Sequence, residues 1–98
     1  MTKVTAYVIV DIEVTDPVGY QEYVKLAPPT VSLYGGEYLA RGGKTEVLEG
    51  DWSPNRLVIL RFESIDQARK WLESPEYGKV QPLRHKFARS KMVVIEGV

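Results

Sequence analysis

The sequence predicts an α+β fold in which a small antiparallel sheet carries its helices on one face. Three observations carry that reading. The first strand alternates strictly between apolar and mixed positions. Two later segments begin with helix-capping chemistry, at Asp16-Pro17 and at Ser64-Ile65-Asp66-Gln67. Each helix is flanked by short strand-like runs, and none of these forms the long buried apolar series of a parallel sheet.

Along Val4–Val14, Val4, Ala6, Val8, Val10, Ile12 and Val14 fall on one face, and Thr5, Tyr7, Ile9, Asp11 and Glu13 on the other. The first face is wholly apolar and belongs on a core. The second sets Tyr7 and Ile9 beside two carboxylates, so partial cover is expected there too. Asp16 offers an N-cap acceptor and Pro17 fits the first helical position. Tyr20, Tyr23, Val24 and Ala27 then recur at i, i+3, i+4, i+7. Pro28-Pro29 removes two donors, which predicts a kink or a restart before Thr30–Tyr34, and Gly35-Gly36 ends the helix.

Glu37–Arg41 and Thr45–Leu48 read as short strands around a Gly42-Gly43 turn or bulge. Residues 50–55 form a loop, and Arg56–Phe62 is a strand with apolar residues on both sides. Ser64 and Gln67 have capping-box spacing, followed by a stripe of Ile65, Ala68, Trp71 and Leu72. Ser74-Pro75 restarts a helix with Tyr77, Val80, Leu83 and Phe87 turned inward and Pro82 as an irregularity. Met92–Ile95 closes the chain as a strand. The order β-α-β-(β)-β-α-β matches the ferredoxin-like plan, in one domain spanning 1–98. Helices then cover one sheet face only. Tyr7, Ile9, Leu57, Ile59, Val93 and Ile95 are candidates for the other, and a second copy of the chain is the expected cover.

Composition excludes several function classes. Thirteen basic side chains balance thirteen acidic ones, so no net field draws the chain to nucleic acid or an anionic membrane. The strands also lack the aromatic and basic pattern of an RNA-reading sheet. With no cysteine there is no disulfide, thiolate nucleophile or Cys-ligated metal. No apolar run approaches a membrane span, and the N-terminal residues lack a signal-peptide pattern, so the expected location is the cytoplasm. There is neither a phosphate-binding loop nor a nucleophile elbow.

The segments VKLAPPTV (24–31), YGGEYLARGGKTEVLEGDW (34–52), RLVILRFES (56–64) and SPEYGKVQPLR (74–84) resemble one bacterial family, domain of unknown function 1330. That resemblance implies the dimeric α+β barrel superfamily, in which two ferredoxin-like chains close a barrel. The superfamily includes cofactor-independent monooxygenases, isomerases and haem-dependent relatives; the family itself has no established reaction.

Arg41, Glu49, Trp52 and Arg56 crowd around glycines between positions 41 and 56, which suggests a pocket. Arg41 offers a planar fork for a carboxylate or carbonyl-rich ligand, or else an internal ion pair with Asp11, Glu46 or Glu49. Trp52 walls a pocket or anchors its loop. Arg61, within an apolar strand, requires a buried partner or serves as a polar group in a cavity. Asp11 and Glu13 point the same way from one strand; Asp11, beside Ile9, is the better acid–base candidate, and no metal-ligand spacing accompanies the pair. His85 is the only imidazole, set between Arg84 and Lys86 in what reads as a solvated basic helix end completed by Arg89 and Lys91. Tyr20, Tyr23, Trp71 and Tyr77 read as core. The expectation is a homodimer without bound cofactor or metal, with a modest cavity near Asp11, Arg41, Trp52 and Arg61 for a small anionic metabolite. Tyr7, Trp52 and Arg61 would contact the ligand; Arg41, Asp11 and His85 would carry any chemistry. The alternative is a non-catalytic dimerisation module.

Overall fold

The computed structural model describes residues 4–98. Its elements are β1 (Ala6–Val14), α1 (Pro17–Leu33), β2 (Glu37–Arg41), β3 (Arg56–Phe62), α2 (Ile65–Leu72), α3 (Pro75–Gly78), α4 (Gln81–Phe87) and β4 (Ala88–Glu96). The strands form one antiparallel sheet in the order β2-β3-β1-β4.

Register follows from the alternation of β1. Val8 lies opposite Leu60 and Val94, and Val10 opposite Val58 and Met92. All of these sit on the inner face beneath the helices. One position along, Ile9 lies opposite Ile59 and Val93, and Tyr7 opposite Arg61 and Ile95. These make the outer face, since directly opposed residues share a side of the sheet. Val8, Val10, Ile12, Val58, Leu60 and Phe62 are buried, whereas Val93 and Ile95 are 61% and 57% exposed. The expected uncovered apolar face is therefore present.

Helix starts follow the predicted chemistry. Asp16 accepts from the Gly19 N–H at 3.1 Å, Ser64 from Gln67 and Ser74 from Tyr77. The capping box is only half formed: the Gln67 amide reaches away to the Tyr34 carbonyl at 2.8 Å, tying the start of α2 to the end of α1. Gly35, at φ +76°, takes the left-handed turn after α1 that L side chains disfavour.

Four expectations are corrected. Of the kink or restart expected at Pro28-Pro29, the restart does not occur: helix α1 continues through both prolines as one element. The turn after the prolines is held from outside: the Thr30 hydroxyl donates to the Ala27 carbonyl at 2.7 Å and accepts from Trp71 Nε1 at 3.1 Å. Thr45–Leu48 is not a strand but part of an exposed arm over residues 42–55. Strand β4 begins at Ala88, directly after α4, so Arg89 and Lys91 are strand residues, not a helix end. Arg84 is buried, at 4% exposure, not solvated.

The core closes on an aromatic plug. Trp71 packs against Phe62 (ring centroids 5.4 Å apart) and Tyr77 (4.3 Å), and Tyr23 meets Tyr77 edge-on while sharing a 2.8 Å hydrogen bond between hydroxyls. Tyr20, Trp71 and Tyr77 are buried and Tyr23 half-buried, as their helical spacing predicts. Thr30→Val keeps the shape but strips the indole N–H of its buried acceptor. Urea unfolding should show a loss of about 1–3 kcal/mol with an unchanged m-value.

Candidate functional site

A one-residue irregularity in β2 builds the site. Glu37 pairs with Arg61 and Tyr38 with Leu60, but the next partners are Ala40 with Ile59 and Arg41 with Val58. Leu39 is the extra residue of a β-bulge. Unbroken alternation would turn Arg41 outward with Glu37. The bulge reverses the parity and brings Arg41 to the inner face with Tyr38.

There Arg41 meets Arg56, which lies on the inner side of β3 opposite Ile12. The Arg41 guanidinium carbon sits 4.7 Å from the Tyr38 ring centroid, and that of Arg56 sits 6.0 Å from Tyr20, so both cations rest near aromatic faces. The two arginines border a cavity of about 30 Å³ between α1 and the sheet. Its remaining walls are aliphatic or aromatic, chiefly Tyr20, Tyr23, Tyr38, Val58 and Trp71, and no carboxylate lines it. Arg56 Nε is buried without a hydrogen-bond partner.

Gly42 makes this arrangement available. It adopts φ +67°, and a β-carbon there would collide with the Arg56 guanidinium. Its N–H donates to the Leu57 carbonyl at 2.8 Å, fixing the chain just past Arg41. Gly42 of the RGG segment thus admits an arginine head to the backbone, the role the sequence suggested for a ligand.

Burial raises the pKa of the Tyr20, Tyr23, Tyr38 and Tyr77 phenols above their ordinary value. For Tyr20 and Tyr38 the adjacent guanidinium opposes that shift without cancelling it. The cavity therefore presents two permanent cations and a set of neutral phenols at neutral pH. It can hold an anion or stabilise developing negative charge, and it contains no group suited to take a proton there.

The other predicted site residues lie elsewhere. Asp11 is on the outer face, where its carboxylate accepts from Trp52 Nε1 at 3.1 Å and from the Asn55 N–H at 3.0 Å. It pins the base of the 42–55 arm, and Trp52 is an anchor, 60% exposed. The two border an open hollow of about 220 Å³ with Ile9, Lys91 and Val93, on the sheet side opposite Arg41. Arg61 forms an ion pair with Glu37 on that same outer face, with both side chains about half exposed, so the partner exists but burial does not. Tyr7, opposite Arg61 and Ile95, is also outward and packs beside Gly97. His85 is exposed on α4, its Nε2 3.3 Å from Arg84 Nη2. Arg41 pairs with none of Asp11, Glu46 or Glu49; Glu46 meets Lys44 instead. Among the described residues no cluster of three or more His, Cys, Asp or Glu could hold a metal, and no helix is long and apolar enough to cross a membrane.

The architecture defines a ferredoxin-like α+β protein, and solved structures share it. A protein of unknown function from Rhodopseudomonas palustris superposes with a TM-score of 0.78 at 15% identity, over 98% of this chain and 84% of its own. SnoaB, a cofactor-independent oxygenase from Streptomyces nogalater, gives 0.62 at 11% identity over 97% and 94%. A dimeric protein of unknown function and ferredoxin-like fold from Bacteroides fragilis gives 0.59 at 14% over 99% and 100%. No curated protein matches in sequence. Residues 5–98 match the family described as domain of unknown function (DUF1330), and the chain belongs to it.

The Gly42 geometry is directly testable. Gly42→Ala should lower stability by about 1–3 kcal/mol in chemical denaturation, through its left-handed backbone and the displaced Arg56. Gly43→Ala, where a β-carbon meets open space, should change stability by less than about 0.5 kcal/mol.

Proposed function

We propose that this protein binds a small organic carboxylate, without a bound cofactor, in the cavity between α1 and the sheet, and that it does so as a homodimer. One observation carries the ligand reading: Arg41 and Arg56 converge on a cavity with no acidic residue in its lining. A guanidinium without a carboxylate partner is an incomplete ion pair, and an anionic ligand completes it. The cavity as it stands has room for about one or two water molecules. The exposed Arg41 side chain borders its mouth, so a larger ligand enters as Arg41 swings aside. The apolar body of the ligand then faces Tyr20, Tyr38 and Val58, and its carboxylate faces the arginines.

The outer face supports the dimer. Tyr7, Ile9, Leu57, Ile59, Val93 and Ile95 form a patch that no helix covers, continuous with the Asp11–Trp52 hollow. A second copy laid sheet to sheet encloses both, giving the two-chain barrel. The dimeric Bacteroides fragilis protein of the same fold is consistent with that arrangement. Placement in the cytoplasm belongs to the same proposal, resting on composition.

An enzymatic version of the site acts by electrostatics. Arg41 and Arg56 hold an enolate-like charge while the neutral phenols exclude water. The fold shared with a cofactor-independent oxygenase supports an oxygenation or isomerisation of this kind. Asp11 and His85 lie outside the cavity, so a substrate acidic enough to ionise would give its proton to bulk water and enter as the enolate, with dioxygen as the oxidant in the oxygenation.

Isothermal titration with propionate should show binding to the wild-type protein, weakened at least about tenfold in Arg41→Ala, as expected for losing one charged hydrogen-bond donor. Guanidinium groups do not titrate, so affinity should stay flat between about pH 6 and 9 and fall only as the ligand's carboxylate protonates. Equal affinity in wild type and Arg41→Ala, or no binding to either, rejects the anion site.

A further inference from the structure

A third cation, Arg84, is more deeply buried than Arg41 or Arg56. Arg84 is 4% exposed, and its Nε has no hydrogen-bond partner. No carboxylate of the described residues lies within ion-pairing distance of it. Among the described residues its one side-chain hydrogen bond joins Nη2 to His85 Nε2 at 3.3 Å, and the Tyr20, Tyr23 and Tyr77 phenols lie within electrostatic reach, but neither an imidazole nor a neutral phenol supplies a negative charge. A buried, uncompensated guanidinium is costly, and such groups persist where something satisfies them.

The space beside Arg84 indicates what does so. A groove of about 330 Å³ runs between α2, α4 and the edge strand β4, with Arg84 and Gln81 as polar groups and Arg69 on α2 as a second cation. The rest of its lining is apolar, including Ala68, Leu72, Met92 and Val94, and no acidic residue faces it. Its volume falls in the range of small-molecule sites, whereas the Arg41–Arg56 cavity is far smaller. Trp71 and Met92 line both spaces and stand between them.

We infer that this groove is a second binding site, distinct from the Arg41–Arg56 cavity, for a monocarboxylate with an unbranched aliphatic tail: Arg84 takes the carboxylate, and the wall of Ala68, Leu72, Met92 and Val94 takes the tail. The site does not depend on the first. A charge this deep favours an anion whose remaining surface is apolar, because a compact, strongly hydrated ion would lose water without gaining hydrophobic contact. Arg69, exposed at the rim, adds attraction without requiring burial.

Octanoate is the probe, with 1-octanol as its uncharged counterpart. In methyl NMR spectra octanoate should shift the Leu72, Met92 and Val94 signals of the wild-type protein in a saturable way. Arg84→Met should weaken octanoate at least about tenfold and leave 1-octanol binding within about threefold, since it removes the charge but keeps the volume. Arg41→Ala should leave octanoate affinity unchanged, which separates this site from the first. Should Arg84→Met fail to fold, Leu72→Trp tests the same groove by filling it, and octanoate binding should then be lost with Arg84 intact. No saturable shift of those methyl groups in the wild-type protein overturns the inference. Octanoate affinity that survives in Arg84→Met, or in Leu72→Trp where Arg84→Met does not fold, overturns it equally.

Discussion

The rest of this structure depends on a sheet that is apolar on both sides but has helices for only one. The alternation of β1 creates the condition. Val8, Val10 and Ile12 are sealed beneath the helices, and Tyr7 and Ile9 on the opposite side are joined by Ile59 and Leu57 from β3 and by Val93 and Ile95 from β4. Hydrophobic burial scales with area, so a face of this composition left in water forgoes about 25 cal/mol for every Å² that a partner could remove from solvent. The same constraint gives the 42–55 arm a reason to exist. It is anchored to the outer face through Asp11, Trp52 and Asn55 and carries Leu48 at 93% exposure. An arm that exposes Val47, Leu48 and Trp52 beside an apolar face is favourable only if these groups and the face are covered together.

On the inner side the constraint is already met, and chemistry is confined to what the packing leaves over. The aromatic plug of Phe62, Trp71, Tyr77 and Tyr23 fills the centre, and Thr30 gives the one indole N–H in it an acceptor. Three arginines border the filled volume: Arg41 and Arg56 at one opening, Arg84 at another. Among the described residues none has a carboxylate partner, although the chain holds equal numbers of acidic and basic groups. The acidic groups are spent elsewhere. Asp11 holds the arm, Glu37 pairs with Arg61, and Glu76 accepts from the Tyr34 hydroxyl, which lowers the Glu76 pKa below its ordinary value. Arg41, Arg56, Arg69 and Arg84 thus line the two spaces on the helix side of the sheet, and no acidic side chain of the described residues lines either.

Much of the fold was legible in the sequence because its signals are local. Ser, Asp and Pro at helix starts act within three residues, and the period of two in β1 needs no knowledge of its neighbours. What was not legible depends on pairing. Thr45–Leu48 has strand-like composition, but after Gly42 the chain leaves the sheet as an arm, so the segment does not pair along the open edge of β2. The bulge at Leu39 has no distinctive residue to announce it, yet it decides which face Arg41 occupies, and so it separates Arg41 from Asp11, Trp52 and Arg61. Arg84 could have been found: Val80, Arg84 and Phe87 fall at i, i+4, i+7, the spacing of an inward stripe. Reading it as part of a basic run with His85 and Lys86 gave charge more weight than periodicity.

Whether the outer sheet face is an interface is measured most directly by sedimentation velocity on the wild-type chain at micromolar concentration. A covered face predicts a single species of about twice the 11.1 kDa chain mass. A stable, folded species at the mass of one chain across the same concentrations contradicts it, because Ile9, Ile59, Val93 and Ile95 would then stand in water without a partner.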